Sequence, residues 1–176
     1  CGIMRLGVLT EPEGENRVAI VPNSVKKLMK KGLEVFIQKG AGEKSNYSDS
    51  DYLGAGANIC SRDEVLSCEI IMSIRMLESS ELRKGMNLVC VADPFRHPEK
   101  IKSCIDSYVT LFSMDMIPRR LSRAQSMDVN SSQDNLAGYK AVLLGASYVP
   151  RGIPMMTTSA GTVKPAKVVI MGSGVA

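Results

Sequence analysis

The chain has 176 residues, of which 44% are hydrophobic and 23% charged, with a formal net charge of +4 and no tryptophan. This is an ordinary globular composition, long enough for one sizeable domain or for one domain and part of another. No apolar run reaches the roughly 18 residues of a membrane helix, and the basic residues lack the aromatic interleaving of a nucleic-acid surface.

Four of the lysines, Lys26, Lys27, Lys30 and Lys31, fall on one predicted helix and read as a solvated face. The five cysteines stand far apart with no CxxC pair, which fits buried thiols in a reduced, intracellular protein. The single histidine, His97, has no neighbours at zinc-ligand spacing and no partner for nucleophilic catalysis. No signal-peptide pattern is visible, and a start at Cys1 rather than Met suggests a chain whose own beginning is missing or processed.

In chain order, Arg5–Thr10 (RLGVLT) is a predicted strand. PNSVKKLMKKG follows as a helix, with Pro22 near its start, Val25, Leu28 and Met29 on one face, and Gly32 as its C-terminal cap. Leu33–Gly40 is the next strand, and a short helix opens at Ser48, a good N-cap. Glu69–Arg75, Asn87–Asp93 and Tyr108–Ile117 are further strands, separated by helical stretches at Arg62–Ser67 and Pro98–Asp106. Strands apolar on both faces, alternating with helices, predict an α/β fold: a doubly wound parallel sheet.

The pattern then changes. Pro118–Asp134 is polar, with three arginines, and reads as a loop feeding a long helix over Asn135–Val149. That helix is rich in small residues and ends at Pro150. A second loop leads to KVVIMGSGVA, read as a strand entering a glycine-rich turn. The expected organisation is therefore an α/β domain over 1–134, then over 135–176 the helix and the first strand of a truncated dinucleotide-binding (Rossmann) domain.

Two stretches carry candidate chemistry. In the dinucleotide fingerprint GxGxxG, the first glycine makes the turn, the second admits the pyrophosphate, and the third lets the helix pack on the strand. Gly172 and Gly174 fill the first two positions, followed by Val175 and Ala176; the third would fall at position 177. In the polar loop, Arg119, Arg120, Arg123, Gln125, Asp128 and Ser131 crowd into thirteen residues. Arginine can pair with phosphate, glutamine and serine can bind a carboxamide, and aspartate can bind ribose hydroxyls. A solvated charge cluster is the plain alternative.

Four segments carry a resemblance that spans essentially the whole chain: EPEGENRVAIVPNSVKKL, VFIQKGAGEKSNYSD, IPRRLSRAQSMDVNSSQDNLAGYKAV and PMMTTSAGTVKPAKVVIMGSGVA. Together they resemble the alanine dehydrogenase/transhydrogenase family, and within it the NAD(H)-binding first domain of the proton-translocating transhydrogenases. Members of that family run to roughly twice this length, so the resemblance implies a fragment cut inside the cofactor motif.

The resemblance further implies hydride transfer from NADH to NADP⁺ held on a separate domain, coupled through a membrane domain to proton movement. It implies a homodimer on the cytoplasmic side of the inner membrane, or in the mitochondrial matrix. By motif, Gln125, Asp128 and Ser131 match the family's nicotinamide loop, with Gln125, Asp128 and Arg120 as the catalytic set. The arginine is open: counting back from Gln125 selects Arg120, adjacency to Pro118 selects Arg119. PRRLSRAQ is one residue longer than the family pattern, which could shift the loop. The 176 residues alone are expected to be inactive, with most of the NAD pocket unbuilt and Lys167–Met171 left as an unpaired edge.

Two alternatives stand beside this. An alanine dehydrogenase would carry a lysine and a histidine in its pyruvate site; here SIRMLE supplies Arg75, CVADPF supplies no histidine, and His97 comes too late. Arg17 is common to both branches. The second alternative is a non-catalytic module, if the chain is complete.

Overall fold

The computed structural model describes residues 2–176. The chain divides into two compact units, one up to Ile117 and one from Pro118 to Ala176.

The first unit is a six-stranded, all-parallel sheet. Its strands are β1 (Met4–Val8), β2 (Leu33–Gln38), β3 (Asn58–Cys60), β4 (Ile70–Met72), β5 (Asn87–Cys90) and β6 (Thr110–Ser113), in the order β3-β2-β1-β4-β5-β6. Helices α1 (Pro22–Met29), α2 (Asp49–Ala55), α3 (Arg62–Leu66) and α4 (Pro98–Asp106) supply crossovers. Both faces are covered, as the doubly apolar strands require. Leu6, Val8, Val35 and Ile37 pack with Val25 of α1 and Tyr52 of α2 in one core. Ile71, Leu88 and Cys90 pack with Val65 of α3 and Cys104 of α4 in the other.

Local chemistry fixes the helix ends. Ser48 and Ser61 each form a capping box, with Asp51 and Glu64, so two orphan backbone donors are satisfied at each start. Pro22 opens α1, and Gly32, at φ +84°, turns the chain into β2. Gly7 is required for a different reason. A Cβ there would sit 2.7 Å from both Cγ1 and the carbonyl oxygen of Val65, so only glycine lets α3 lie directly on β1.

The first unit departs from expectation in detail. The edge strand β3, three residues long, carries no apolar run that would mark it. The Tyr108–Ile117 strand shortens to β6 and bends into a 3₁₀ turn over Met114–Met116. Asp115 holds that bend, accepting hydrogen bonds from the Ala92 and Asp93 amides (both 3.1 Å) and from Ser113 Oγ (2.5 Å).

The second unit contains helix α5 (Val129–Tyr148) and an antiparallel hairpin, β7 (Met156–Thr158) with β8 (Gly161–Val163). α5 starts six residues before Asn135 because Asp128 caps it, and position 134 therefore falls inside the helix. The hairpin occupies what reads in sequence as loop. Its turn uses Gly161 at φ +133°. The expected strand at Lys167–Met171 is corrected: the segment has no ladder partner among the described residues and forms no strand, and Ile170 and Met171 are 80% and 95% exposed.

Candidate functional site

The polar residues of the second unit gather where α5 begins. A 3₁₀ turn over Gln125–Met127 delivers the chain to Asp128, whose extended backbone makes it the helix N-cap. Asp128 Oδ1 accepts the Ser131 amide at 3.1 Å, and Oδ2 accepts the Ser131 hydroxyl at 2.5 Å. Arg119 Nη1 reaches the same hydroxyl oxygen at 3.5 Å, a long contact. The Ser131 hydroxyl and amide hold the Asp128 carboxyl below its ordinary range, with the charge of Arg119 adding to them. At neutral pH the cap is a carboxylate placed between a guanidinium and a helix N-terminus, which favours the anion.

Of the sequence-expected residues, this arrangement joins Arg119, Asp128 and Ser131. Arg119 and Arg120 are both exposed, and of the two only Arg119 has a side-chain contact to Ser131. Gln125 lies one turn before the cap, exposed, with its amide in no hydrogen bond among the described residues. Gly172 adopts φ +95°, a conformation that glycine reaches without strain. Gly174, Val175 and Ala176 are exposed. The Ala176 backbone lies against α5 at Gly138, where a Cβ would collide with it. Ten residues separate Gly138 from Asp128, about 15 Å along the helix.

A second polar cluster lies in the first unit. In a doubly wound sheet, the strand order reverses at one point and leaves a crevice at the carboxyl ends of the strands. Here the reversal lies between β1 and β4. The Glu11 carboxylate ties the two loops together, accepting the amides of Ile74 (2.5 Å) and Arg75 (3.0 Å). Burial raises its carboxyl above the ordinary value, against the lowering effect of those two amides. Glu15 accepts Arg17 Nε and Nη2, both at 2.8 Å, and faces Arg75 Nε at 3.2 Å. The Arg17 hydrogen bonds bring the Glu15 carboxyl down to about 2.

A cavity of about 310 Å³ adjoins this cluster, lined by Thr10, Glu11, Gln38, Arg62 and Arg75 among others. Arg62 is held by Glu81 (2.6 and 3.1 Å) and Gln38 (3.1 Å).

Sequence reasoning did not assign roles to Glu11, Glu15 or Asp115. Glu11 and Glu15 lie in the EPEGENR stretch, but their partners Ile74 and Arg75 are about sixty residues away, and no local spacing encodes that meeting. His97 sits at the start of α4 and faces Glu99 at 3.4 Å. Among the described residues no group of three or more His, Cys, Asp or Glu could hold a metal ion, and no helix is long and apolar enough to cross a membrane. Cys68, Cys90 and Cys104 are buried free thiols, and Cys60 is a half-buried one; Cys1 lies outside the described residues.

Comparison with known proteins identifies relatives of the chain. Residues 7–137 match the family described as alanine dehydrogenase/PNT, N-terminal domain, and residues 141–176 match its C-terminal domain. The chain is 38% identical over 179 residues to NAD(P) transhydrogenase subunit alpha of Cereibacter sphaeroides, covering 98% of this chain and 34% of that one. The crystal structure of transhydrogenase from Sinorhizobium meliloti superposes with a TM-score of 0.93 at 39% identity, over 97% of this chain and 52% of that chain. An alanine dehydrogenase of Mycolicibacterium smegmatis is more distant, 33% identical over 98% of this chain and 48% of the enzyme. The chain thus spans between about a third and about half the length of these relatives.

Proposed function

The chain belongs to the alanine dehydrogenase/PNT family, and we propose that it is the NAD(H)-binding portion of a proton-translocating NAD(P) transhydrogenase. The observation that carries the reading is the Arg119–Ser131–Asp128 constellation at the cap of α5, with the unengaged Gln125 amide one turn before it. Its donor set suits the nucleotide: a guanidinium, a hydroxyl, an ionised carboxylate and a carboxamide. The Ala176 backbone, at the end of the glycine-rich stretch, meets α5 at Gly138, about 15 Å along the helix from the Asp128 cap.

On this reading, Arg119, Gln125, Asp128 and Ser131 hold the nicotinamide end, and Gly172, Gly174, Val175 and Ala176 form the approach for the pyrophosphate. Arg120 stays outside the constellation. The nucleotide supplies the hydride when bound; the side chains contribute position, since no proton need move at the reacting carbon. NADP⁺ would be held by a separate domain, and a membrane domain would couple the transfer to protons. The protein would work as a homodimer on the cytoplasmic side of the inner membrane, with the mitochondrial matrix as the alternative setting. Residues 1–134 are then the N-terminal domain, and 135–176 the connecting helix and the opening of the nucleotide domain. The change from N-terminal to C-terminal family match between 137 and 141 supports that division.

The alanine dehydrogenase reading is weaker. Its relatives are more distant, and the crevice offers Arg75 in place of a lysine, already facing Glu15. The test is a pair of assays on the full reading frame that carries this chain, with an NADP(H)-binding partner. Hydride transfer from NADH to NADP⁺ without alanine-driven NAD⁺ reduction is expected. Alanine-driven reduction would overturn the proposal.

A further inference from the structure

We propose that the outer face of α1 is a docking surface for an anionic lipid bilayer. Lys26 and Lys27 lie in the last turn of α1, away from the buried Val25, and Lys30 and Lys31 follow in the turn that ends the helix. All four are exposed. Four positive charges within six residues equal the formal excess of the whole chain, +4.

Several other basic side chains of the first unit are paired with a carboxylate: Arg5 with Glu69, Arg62 with Glu81, Lys100 with Glu78, Lys102 with Asp106. Among the described residues, no ion pair reaches any of these four lysines. Asp51, which shares a groove with Lys26, is engaged by the Ser48 amide and hydroxyl at 2.7 Å each. Glu34, at the start of β2, faces the Asn58 amide at 3.4 Å.

The kind of partner follows from the residue type. Protein interfaces are depleted of lysine and use arginine, whose planar fork suits fixed carboxylates. Flexible ammonium groups suit a fluid array of phosphates, and a cluster of four or more on an amphipathic helix is the pattern that anionic leaflets attract. Apolar contact is available too: Met29, the last residue of α1, is 41% exposed, and Leu53 on the adjoining α2 is 56% exposed. The inference does not rest on the hydride-transfer reading.

The experiment is co-sedimentation of the chain with phosphatidylcholine vesicles, with and without phosphatidylglycerol, at low and high salt. Binding only to the phosphatidylglycerol vesicles is expected, weakening as salt rises. Each Lys→Gln change should cost about fivefold in affinity, and the quadruple variant more than about a hundredfold. The quadruple Lys→Arg variant, with its charge intact, should bind like the parent. Absence of binding to phosphatidylglycerol vesicles, or equal binding by the Gln and parent chains, overturns the proposal. Binding to soluble polyglutamate as tight as to vesicles also overturns it, in favour of an acidic protein.

Discussion

Asp128 does two things that a pair of substitutions can separate. As N-cap it accepts the Ser131 amide at 3.1 Å, and as a carboxylate it presents negative charge beside Arg119. Asp128→Asn keeps an acceptor oxygen for the amide, and asparagine caps as well as aspartate. Its side-chain NH₂ can donate to Ser131 Oγ where the carboxylate had accepted. Asp128→Ala removes both the cap and the charge, at a cost of about 1 kcal/mol to the helix start. Amide exchange at Ser131 reads the cap directly: about fivefold lower protection for the alanine variant, little change for the asparagine one. NADH titration of the full reading frame reads the charge. A hydrogen bond to a charged group contributes about 1.5–3 kcal/mol, so both variants should bind NADH about ten- to a hundredfold more weakly. If Asp128→Asn binds NADH like the parent, the carboxylate does not touch the nucleotide. If Asp128→Asn frays α5 as much as alanine does, the capping argument is wrong.

Three further outcomes follow from the first unit. Gly7→Ala drives a methyl to 2.7 Å from the Val65 backbone oxygen, an overpacking that should cost about 1–3 kcal/mol in a urea melt; an unchanged midpoint would mean that α3 can move aside. Glu15 has its folded pKa lowered from 4.5 to about 2 by Arg17. Its contribution to stability is therefore complete above 4.5 and lost as pH falls toward 2, and Glu15→Gln should flatten the urea midpoint across that window. Burial pushes the Cys90 thiol up to about 12 and Cys68 up to about 11, so iodoacetamide at neutral pH should modify them only as the unit unfolds; rapid labelling of the folded chain would show that the core opens.

The elements legible in sequence were those whose signal is local. The serine cap at Ser48, Pro22 at a helix start and continuous apolar runs in β1, β2 and β5 each state their own structure. What sequence missed depends on partners. β3 is three residues long and is a strand only because Phe36–Gln38 lies beside it. Met156–Thr158 and Gly161–Val163 pair only with each other. Lys167–Met171 has a strand's composition, yet without a ladder partner the composition decides nothing. The site shows the same division. Asp128 and Ser131 are three residues apart and could be paired by inspection. Sequence counting leaves Arg119 and Arg120 equal, and only the loop's path in space brings one of them, Arg119, to Ser131.

The strand reversal offers a rival to the second unit, where the proposed reading puts the nucleotide. A doubly wound sheet offers its ligand crevice at the switch point, and this sheet has one between β1 and β4. Its polar groups are committed to the protein itself. Glu11 uses both carboxylate oxygens on the Ile74 and Arg75 amides, and Glu15 sits between the Arg17 and Arg75 guanidiniums. A buried charge already paired gives little to a ligand, because any new contact must first break the old one. At the cap of α5 the Asp128 oxygens are engaged too, by the Ser131 amide and hydroxyl, but Arg119 is exposed with one long contact to Ser131 and the Gln125 side-chain amide is unengaged. Arg119 and Gln125 are therefore the groups at this helix start that can exchange water for a nucleotide without first breaking a short contact within the protein.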